Sequence, residues 1–227
     1  MKYNIEITPF RVETCNSDVE YPLGILVVIE SKEGVDIGKI ISIEEDDDTD
    51  AYGEIVRKVV PDDTEKRREL REYEEFCLIE LRRAVEEFKY AMKPVYAHCQ
   101  FDEERVIFYF TAQKRLEFRK LHRFISQKLN KRVVIKQIGS RDYSKLFGGI
   151  GPCGRNLCCR TFLHELKSIS LRMARDQKLY VSPSKISGLC GRLLCCLNFE
   201  EDFYTEFARS HNTTLEEPNV SNDDPDG

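Results

Sequence analysis

The sequence predicts an α+β fold: a small N-terminal antiparallel β module, a long helix, an α/β sandwich and a cysteine-rich C-terminal loop region. Three observations predict this class. The first sixty residues contain short β-branched runs between turns, residues 61–92 repeat apolar positions at helical spacing, and residues 93–138 switch between strand and helix patterns. Strands and helices segregated in this way are typical of a layered α+β domain.

The N-terminal module is predicted from alternating or β-rich runs. Its expected strands cover residues 3–9, 23–30, 35–43 and 53–60. The turn Lys32-Glu33-Gly34 joins the second and third of these strands into a hairpin. The acidic run 44–50 lacks the glycine and the spacing of an EF-hand loop, so we expect a solvated loop there.

A long helix is predicted from Pro61 to about Met92, with Asp62 and Glu65 in capping-box register. At 1.5 Å per residue it makes a rod of about 45 Å. Its apolar stripe contains Leu70, Tyr73, Cys77, Leu81, Ala84, Phe88 and Ala91. Cys77 is therefore expected to be a core residue, although the stripe can also serve as a docking seam for a partner helix.

A second layer follows the long helix. Strands are predicted at 95–101, 105–111 and 132–138, with an amphipathic helix at 116–129, so that helices cover one face of an antiparallel or mixed sheet. His98 and His122 fall inside these elements without a second histidine at ligand spacing. We therefore interpret them as structural or surface histidines.

The expected segments of the chain are the β module (1–60), the long helix with its layer (61–147), the cysteine region (148–207) and a disordered acidic tail (208–227). Short helices are expected at 161–166 and 171–178 and an aromatic, acidic helical segment at 199–207. The start of the chain lacks the pattern of a signal peptide, and the apolar stretch 22–29 is too short to span a bilayer. We therefore expect a cytoplasmic protein, in which clustered thiols indicate metal or redox chemistry rather than disulfides.

Charge is strongly segregated along the chain. The formal net charge is −5, but residues 1–104 carry −13, residues 105–200 carry +15 and residues 201–227 carry −7. A basic sector indicates an acidic partner, such as RNA, DNA or an acidic protein face; alternatively, the acidic N-terminal half neutralises it. The candidate residues for partner or nucleic-acid binding are Arg119, Arg123, Lys128, Arg132, Arg155, Arg160, Lys185 and Arg192.

The cysteine region contains one motif twice. Residues 151–159 and 188–196 both read G-x-C-G-R-x-L-C-C, 37 positions apart, and they hold six of the nine cysteines. These six are Cys153, Cys158, Cys159, Cys190, Cys195 and Cys196. The glycine after the first cysteine of each copy tolerates a positive φ, and its turn can bring three thiolates to one point.

Several chemistries fit these thiols. An iron–sulfur cluster takes four cysteines at varied spacings, whereas structural zinc sites favour gaps of two to four residues. The flanking residues favour Cys153, Cys158, Cys159 and Cys190 as ligands, because the first copy lies in a glycine-rich, exposed setting and the second between leucines. Buried apolar cysteines remain an alternative, whereas dithiol chemistry lacks its usual C-x-x-C spacing.

No catalytic constellation is recognisable in the sequence. There is no G-x-S-x-G or H-E-x-x-H motif, and residues 148–154 lack the Gly-Lys-Ser/Thr ending of a phosphate-binding loop. We therefore expect a protein that is not an enzyme.

Three stretches, 148–159, 173–177 and 182–197, closely resemble the polymerase-suppressor (PSP) C-terminal-domain family, which includes the bacterial YaaT/RicT cell-fate and sporulation regulators. The N-terminal strands, the long helix and the stretches 107–112 and 137–139 are also similar to that family. The likeness covers about residues 1–200.

The resemblance implies a non-enzymatic adaptor that holds a 4Fe–4S cluster through its cysteines. It also implies a complex with two small helical proteins of the YlbF/YmcA type, and an influence on RNA processing by a membrane-bound endoribonuclease. The chain departs from the family at Ser182-Pro183-Ser184-Lys185, where Asn-Pro-Thr-Lys is usual, and in its acidic run and tail. These departures leave the motif cysteines untouched.

Overall fold

The computed structural model describes residues 1–44, 50–163, 168–179 and 182–212, and it divides into two compact units, 1–148 and 149–227. Most of the acidic run and the C-terminal tail lie outside the described residues, as do parts of the expected helix at 161–166. Each unit has its own hydrophobic core.

The first unit begins with a closed five-stranded barrel. Its strands are β1 (Lys2–Thr8), β2 (Arg11–Asn16), β3 (Leu26–Ser31), β4 (Gly34–Glu44) and β5 (Gly53–Lys58), in the order β1-β2-β5-β3-β4. All neighbouring strands are antiparallel except β2 and β5, which run parallel. Tyr3, Ile5, Val27, Ile29 and Ile40 fill the interior. Closure removes the exposed sheet edges that a small open module would carry.

Four of these five strands were predicted from the sequence, and β2 was not. Its residues, Arg-Val-Glu-Thr-Cys-Asn, lack a clean apolar alternation. Arg11 lies buried beside Glu13 and within 3.7 Å of Asp36, so this strand places charges where an ordinary strand places apolar groups. The missing alternation has a physical reason, because these positions hold charged side chains that form ion pairs with one another.

The predicted long helix is α1, Pro61–Glu87, which ends five residues earlier than expected, and Lys89 follows it with a left-handed φ of 55°. Its N-terminus is capped by the Asp63 carboxylate, which accepts a hydrogen bond from the Val60 N–H at 2.9 Å. The expected cap at Glu65 was therefore wrong. Cys77 is fully buried in the core, as predicted.

The second layer is a three-stranded sheet with the order β6-β7-β8, made of β6 (Lys93–Cys99), β7 (Arg105–Thr111) and β8 (Arg132–Gln137). β7 runs antiparallel to β6 and parallel to β8. Helices α1 and α2 (Arg119–Leu129) pack on one face of this sheet. The other face contacts Phe10 of the barrel and helix α3 (Ser140–Phe147). The α+β class predicted from the sequence is confirmed.

A buried network joins the barrel to this layer. His98 of β6 is 1% exposed; its Nε2 lies 2.8 Å from Asp36 Oδ2 in β4, and its Nδ1 lies 3.3 Å from Glu74 Oε1 in α1. Arg67 donates hydrogen bonds of 2.9 Å to the same Glu74 oxygen. His98 is thus a structural residue, as expected, and it fixes three elements to one another.

The described part of the second unit consists of short helices. They are α4 (Cys158–Thr161), α5 (Leu171–Asp176), α6 (Pro183–Ile186), α7 (Cys196–Phe199) and α8 (Glu201–Asn212). Met173, Ala174, Ile186 and Leu197 form its core, and the Gln177 amide donates a 2.6 Å hydrogen bond to the Leu197 carbonyl. Among the helices that the structure describes, none has a stretch long and apolar enough to cross a membrane.

Candidate functional site

The two cysteine motifs fold in the same way. In each copy, the backbone N–H of the leading glycine donates a 2.8 Å hydrogen bond to the carbonyl of the motif arginine, Gly151 to Arg155 and Gly188 to Arg192. Short β-bridges flank these turns at equivalent positions, between residues 150 and 156 and between residues 187 and 193. The doubled sequence is therefore a doubled structure.

The second glycine of each motif is required by the backbone. Gly154 has a φ of +78° and Gly191 a φ of +72°, in the left-handed region that side chains with a Cβ rarely adopt. This confirms the expected turn after the first cysteine. A helical turn follows in each copy, so that Cys158 and Cys196 are the first residues of α4 and α7, and Cys195 precedes α7.

The two copies contact each other through equivalent residues. Phe162 and Phe199 are 37 positions apart, like the motifs, and their rings meet edge to face with centroids 5.1 Å apart. The two copies are therefore in contact through the residue that follows each cysteine pair by three positions.

Thiols from both copies lie within electrostatic range of one another. Burial raises the pKa of Cys196 above the ordinary thiol value, and the charges of Glu200, Cys158 and Cys153 raise it further. Cys196 belongs to the second copy, whereas Cys153 and Cys158 belong to the first. Charges on two thiols of the first copy therefore act on a thiol of the second copy.

The six motif thiols differ in exposure. Cys153 is exposed, while Cys158, Cys190, Cys195 and Cys196 are half-buried, and Cys159 is only 6% exposed. The expectation that the first pair is exposed and the second lies in the core was wrong for Cys159. Its neighbour in the chain, Arg160, is exposed, and Leu197 rather than Cys196 takes the core position in the second copy.

The donor chemistry of these thiols suits a soft metal centre, but their arrangement is not that of a closed site. Within the described ranges, no group of three or more cysteine, histidine, aspartate or glutamate side chains is placed so as to hold a metal ion. The thiols are neighbours without converging on one point. Ligand identity therefore stays a prediction.

The basic candidates divide between the two units. Arg119, Arg123 and Lys128 lie on α2 and Arg132 begins β8, all in the first unit. Arg155, Arg160, Lys185 and Arg192 are exposed positions of the second unit, in and around the motif turns. Lys128 is engaged in an ion pair with Glu80.

An exposed aromatic stripe next to the motifs was not identified as a site from the sequence. Phe162, Phe199, Phe203 and Phe207 are each 50% to 67% exposed, and the rings of Phe203 and Phe207 stack with centroids 6.4 Å apart. Acidic residues lie next to these phenylalanines in the chain, at positions 200, 201, 202 and 206. The sequence signal of the stripe was the four-residue spacing of phenylalanines from 199 to 207.

Two family descriptions match the chain. "PSP1 C-terminal conserved region" matches residues 53–138, from β5 to the end of the second layer, and "PSP1-like protein, third domain" matches residues 168–211, which include the second cysteine motif. No solved structure matches the chain significantly.

A characterised relative extends this likeness to most of the chain. "Stage 0 sporulation protein YaaT" of Bacillus subtilis is 41% identical over 186 residues, which cover 78% of this chain and 66% of the relative, just under two thirds of its length. The sequence resemblance noted above is thereby confirmed, and the chain belongs to the PSP1 family.

Proposed function

We propose that this chain is a non-enzymatic regulatory adaptor of the cytoplasm, which holds or shares a 4Fe–4S cluster through its doubled motif. In this proposal it acts in a protein complex that influences RNA processing or cell-fate control. The name of its relative, a stage 0 sporulation protein, supports the regulatory part. The cluster, the complex and the process go beyond that name.

The observation that carries the cluster proposal is the pairing of the two copies. A 4Fe–4S cluster is held by four cysteine thiolates, and when bound it supplies an iron–sulfur core with redox capacity. Cys153, Cys158 and Cys196 would hold it from the two copies, with a fourth thiol from Cys159, Cys190, Cys195 or a partner. Because ligands must be deprotonated and drawn together, binding of the cluster would also stabilise the second unit.

The adaptor role is supported by the aromatic stripe formed by Phe162, Phe199, Phe203 and Phe207. Large exposed apolar patches mark protein interaction sites, and buried aromatic anchors dominate the affinity of such interfaces. The acidic residues next to it in the chain fit an amphipathic helix whose apolar stripe is flanked by lysine and arginine. Small helical proteins of the YlbF/YmcA type are the partners we assign to it.

Exchanging two anchors tests this docking surface. Each of Phe199→Ser and Phe203→Ser should weaken binding of purified YlbF/YmcA-type proteins about 30-fold, and the double variant up to about 900-fold, since anchor residues contribute about 2 kcal/mol or more each. Phe76→Ser is the matched control, because Phe76 is 50% exposed on α1 in the first unit. Equal loss in the double variant and in this control, measured by calorimetry, would place the interface elsewhere.

Metal analysis tests the cluster. The chain is purified anaerobically, alone and with its helical partners, and iron, acid-labile sulfide and zinc are measured together with the visible spectrum. Iron and sulfide in equal amounts support the proposal, whether they are found in the chain or only in the complex. Stoichiometric zinc without iron would make the site a structural zinc centre, and absence of both metals in both preparations would contradict the proposal.

A further inference from the structure

A basic cleft runs beside α2 in the first unit, away from the cysteine motifs in sequence. It has a volume of about 950 Å³, and a second depression of about 750 Å³ shares His122 and Ser126 with it. The larger cleft is lined by three arginines, Arg115, Arg119 and Arg123, against one carboxylate, Glu117. Concentrated positive charge in a cleft focuses the electrostatic field on an anionic ligand.

All three arginines are exposed: Arg115 lies in the segment before α2, and the amphipathic pattern of α2 places Arg119 and Arg123 on its outer face. Leu121, Ile125 and Leu129 turn into the core, which leaves Arg119 and Arg123 one helical turn apart on the outer face. Arg119 Nε lies 3.3 Å from the Glu117 carboxylate, and both of these side chains are more than three quarters exposed. A pair this exposed contributes little and leaves the guanidinium available.

The rest of the lining adds hydrogen-bonding and apolar groups. His122 Nε2 lies 2.8 Å from the Val133 carbonyl, so this ring is held in place at the boundary of the two depressions. The buried Ser126 hydroxyl has no hydrogen-bond partner within the part of the chain that the structure describes. Leu116 and Phe118 are half-buried and supply an apolar wall, with Gln127 at the rim.

We propose that this cleft binds single-stranded RNA, with Arg115, Arg119 and Arg123 contacting phosphates. Arginine forms a rigid fork that pairs with phosphate oxygens in bidentate fashion, and the three basic side chains in the larger cleft are all arginine. A single strand also exposes its bases to the apolar wall of Leu116 and Phe118 and to the exposed Gln127 amide, which an acidic protein face would not use. The inference concerns the first unit and stands whether or not the motifs hold a cluster.

Salt dependence gives the expected magnitude. Each phosphate contact to a single strand contributes about 0.7 to the slope of log affinity against log salt, so three contacts give a slope of about −2. Between 1 M and 0.1 M salt this corresponds to about fivefold in affinity for each arginine and to about 100-fold for all three. The net charge of −5 on the whole chain gives no overall attraction for RNA, so attraction must come from local basic regions such as this cleft.

The test is fluorescence anisotropy with a labelled 12-nucleotide single-stranded RNA and the full chain at several salt concentrations. The variant Arg115→Gln/Arg119→Gln/Arg123→Gln should lose about 100-fold in affinity at 0.1 M salt and flatten the slope by about 2. The matched control Arg68→Gln/Arg71→Gln/Arg82→Gln removes three exposed arginines of α1 and should retain binding. Circular dichroism and the unfolding temperature show that both variants are folded.

Each other outcome overturns the proposal. If the control variant loses as much RNA affinity as the cleft variant, the attraction comes from diffuse surface charge and not from the cleft. If the affinity of the wild type does not change with salt concentration, the arginines do not contact phosphates. Equal or tighter binding of a duplex of the same sequence would reject the single strand. If polyglutamate of equal charge displaces the labelled RNA as effectively as unlabelled RNA does, the ligand of the cleft is an acidic protein. Equal binding of the corresponding DNA would assign it to single strands without preference for RNA.

Discussion

The nine cysteines occupy environments of different kinds. Cys15, Cys77 and Cys99 are buried in the first unit, and burial raises the pKa of Cys15 and of Cys99 to about 12. The motif cysteines lie at or near the surface of the second unit, except Cys159. Since the thiolate is the reactive form, exposure and pKa together separate structural thiols from ligand candidates.

Alkylation of the metal-free native chain should therefore be selective. We expect iodoacetamide at pH 8 to modify Cys153 first, the four half-buried motif cysteines more slowly, and Cys15, Cys77, Cys99 and Cys159 only after unfolding. Peptide mapping by mass spectrometry measures this order. Early labelling of Cys159 would contradict the burial described for the first copy.

Glycine substitution tests the motif turns. Gly154→Ala and Gly191→Ala should each lower the free energy of unfolding of the second unit by about 1–2 kcal/mol, because an L-residue is strained in the left-handed region. No atom lies within 4 Å of the added Cβ at either position, so the cost comes from the backbone alone.

Gly188→Ala is the matched control for these two substitutions. Its φ lies outside the left-handed region and its Cβ would make an ordinary contact of 3.7 Å with the Arg192 carbonyl oxygen. Urea unfolding followed by circular dichroism compares the three variants. If Gly188→Ala and Gly191→Ala lose the same free energy of unfolding, the left-handed backbone at position 191 is not the reason why glycine is needed there.

At the scale of elements, local pattern predicted most of the first unit. The apolar stripe of α1 and the alternation of β7 are properties of short stretches, so these elements were predicted within a few residues. β2 and the closure of the barrel were not, because the parallel pairing of β2 with β5 joins residues nearly forty positions apart. The cap of α1 was misassigned because Asp62, Asp63 and Glu65 offer competing carboxylates and only the geometry selects Asp63.

The pH dependence of stability should report the network between the barrel and the second layer. Burial lowers the pKa of His98, but hydrogen bonds and charges of Asp36 and Glu74 outweigh it, so that its pKa is raised. The stabilisation is then fully present below the unfolded histidine pKa and is lost as the pH rises through the folded one. Burial raises the pKa of Glu74, but its bonds to His98 and Arg67 lower it below the usual value. Its contribution is lost as the pH falls through that lowered pKa.

Thermal unfolding across pH measures both effects. We expect His98→Gln to be destabilised and to lose the decline on the alkaline side of the ordinary histidine pKa, while retaining the part of the acid decline that Glu74 owes to Arg67 and to the Cys99 N–H. A curve for His98→Gln that is parallel to the wild type at every pH would contradict a charged His98 in the folded state.

For the whole molecule, the repeated cysteine motif was the strongest signal in the sequence. The structure shows that its two copies fold alike and contact each other. The sequence predicted two cysteine blocks but not that they pair, because the contact between Phe162 and Phe199 lies beyond the last motif cysteine. The phenylalanine three positions after each cysteine pair was the available signal. The sequence predicted Arg119 and Arg123 as binding candidates but did not separate them from the basic residues of the second unit, since the +15 sector spans both units.

The central claim is that the two copies act as one site. The most direct measurement is the iron and sulfide content of the anaerobically purified complex in Cys158→Ser and in Cys196→Ser, with Cys77→Ser of the first unit as the control. The paired arrangement predicts that either motif substitution alone removes most of the iron while the control retains it. Loss of iron from one motif variant, with full retention in the other, would contradict a site shared by both copies.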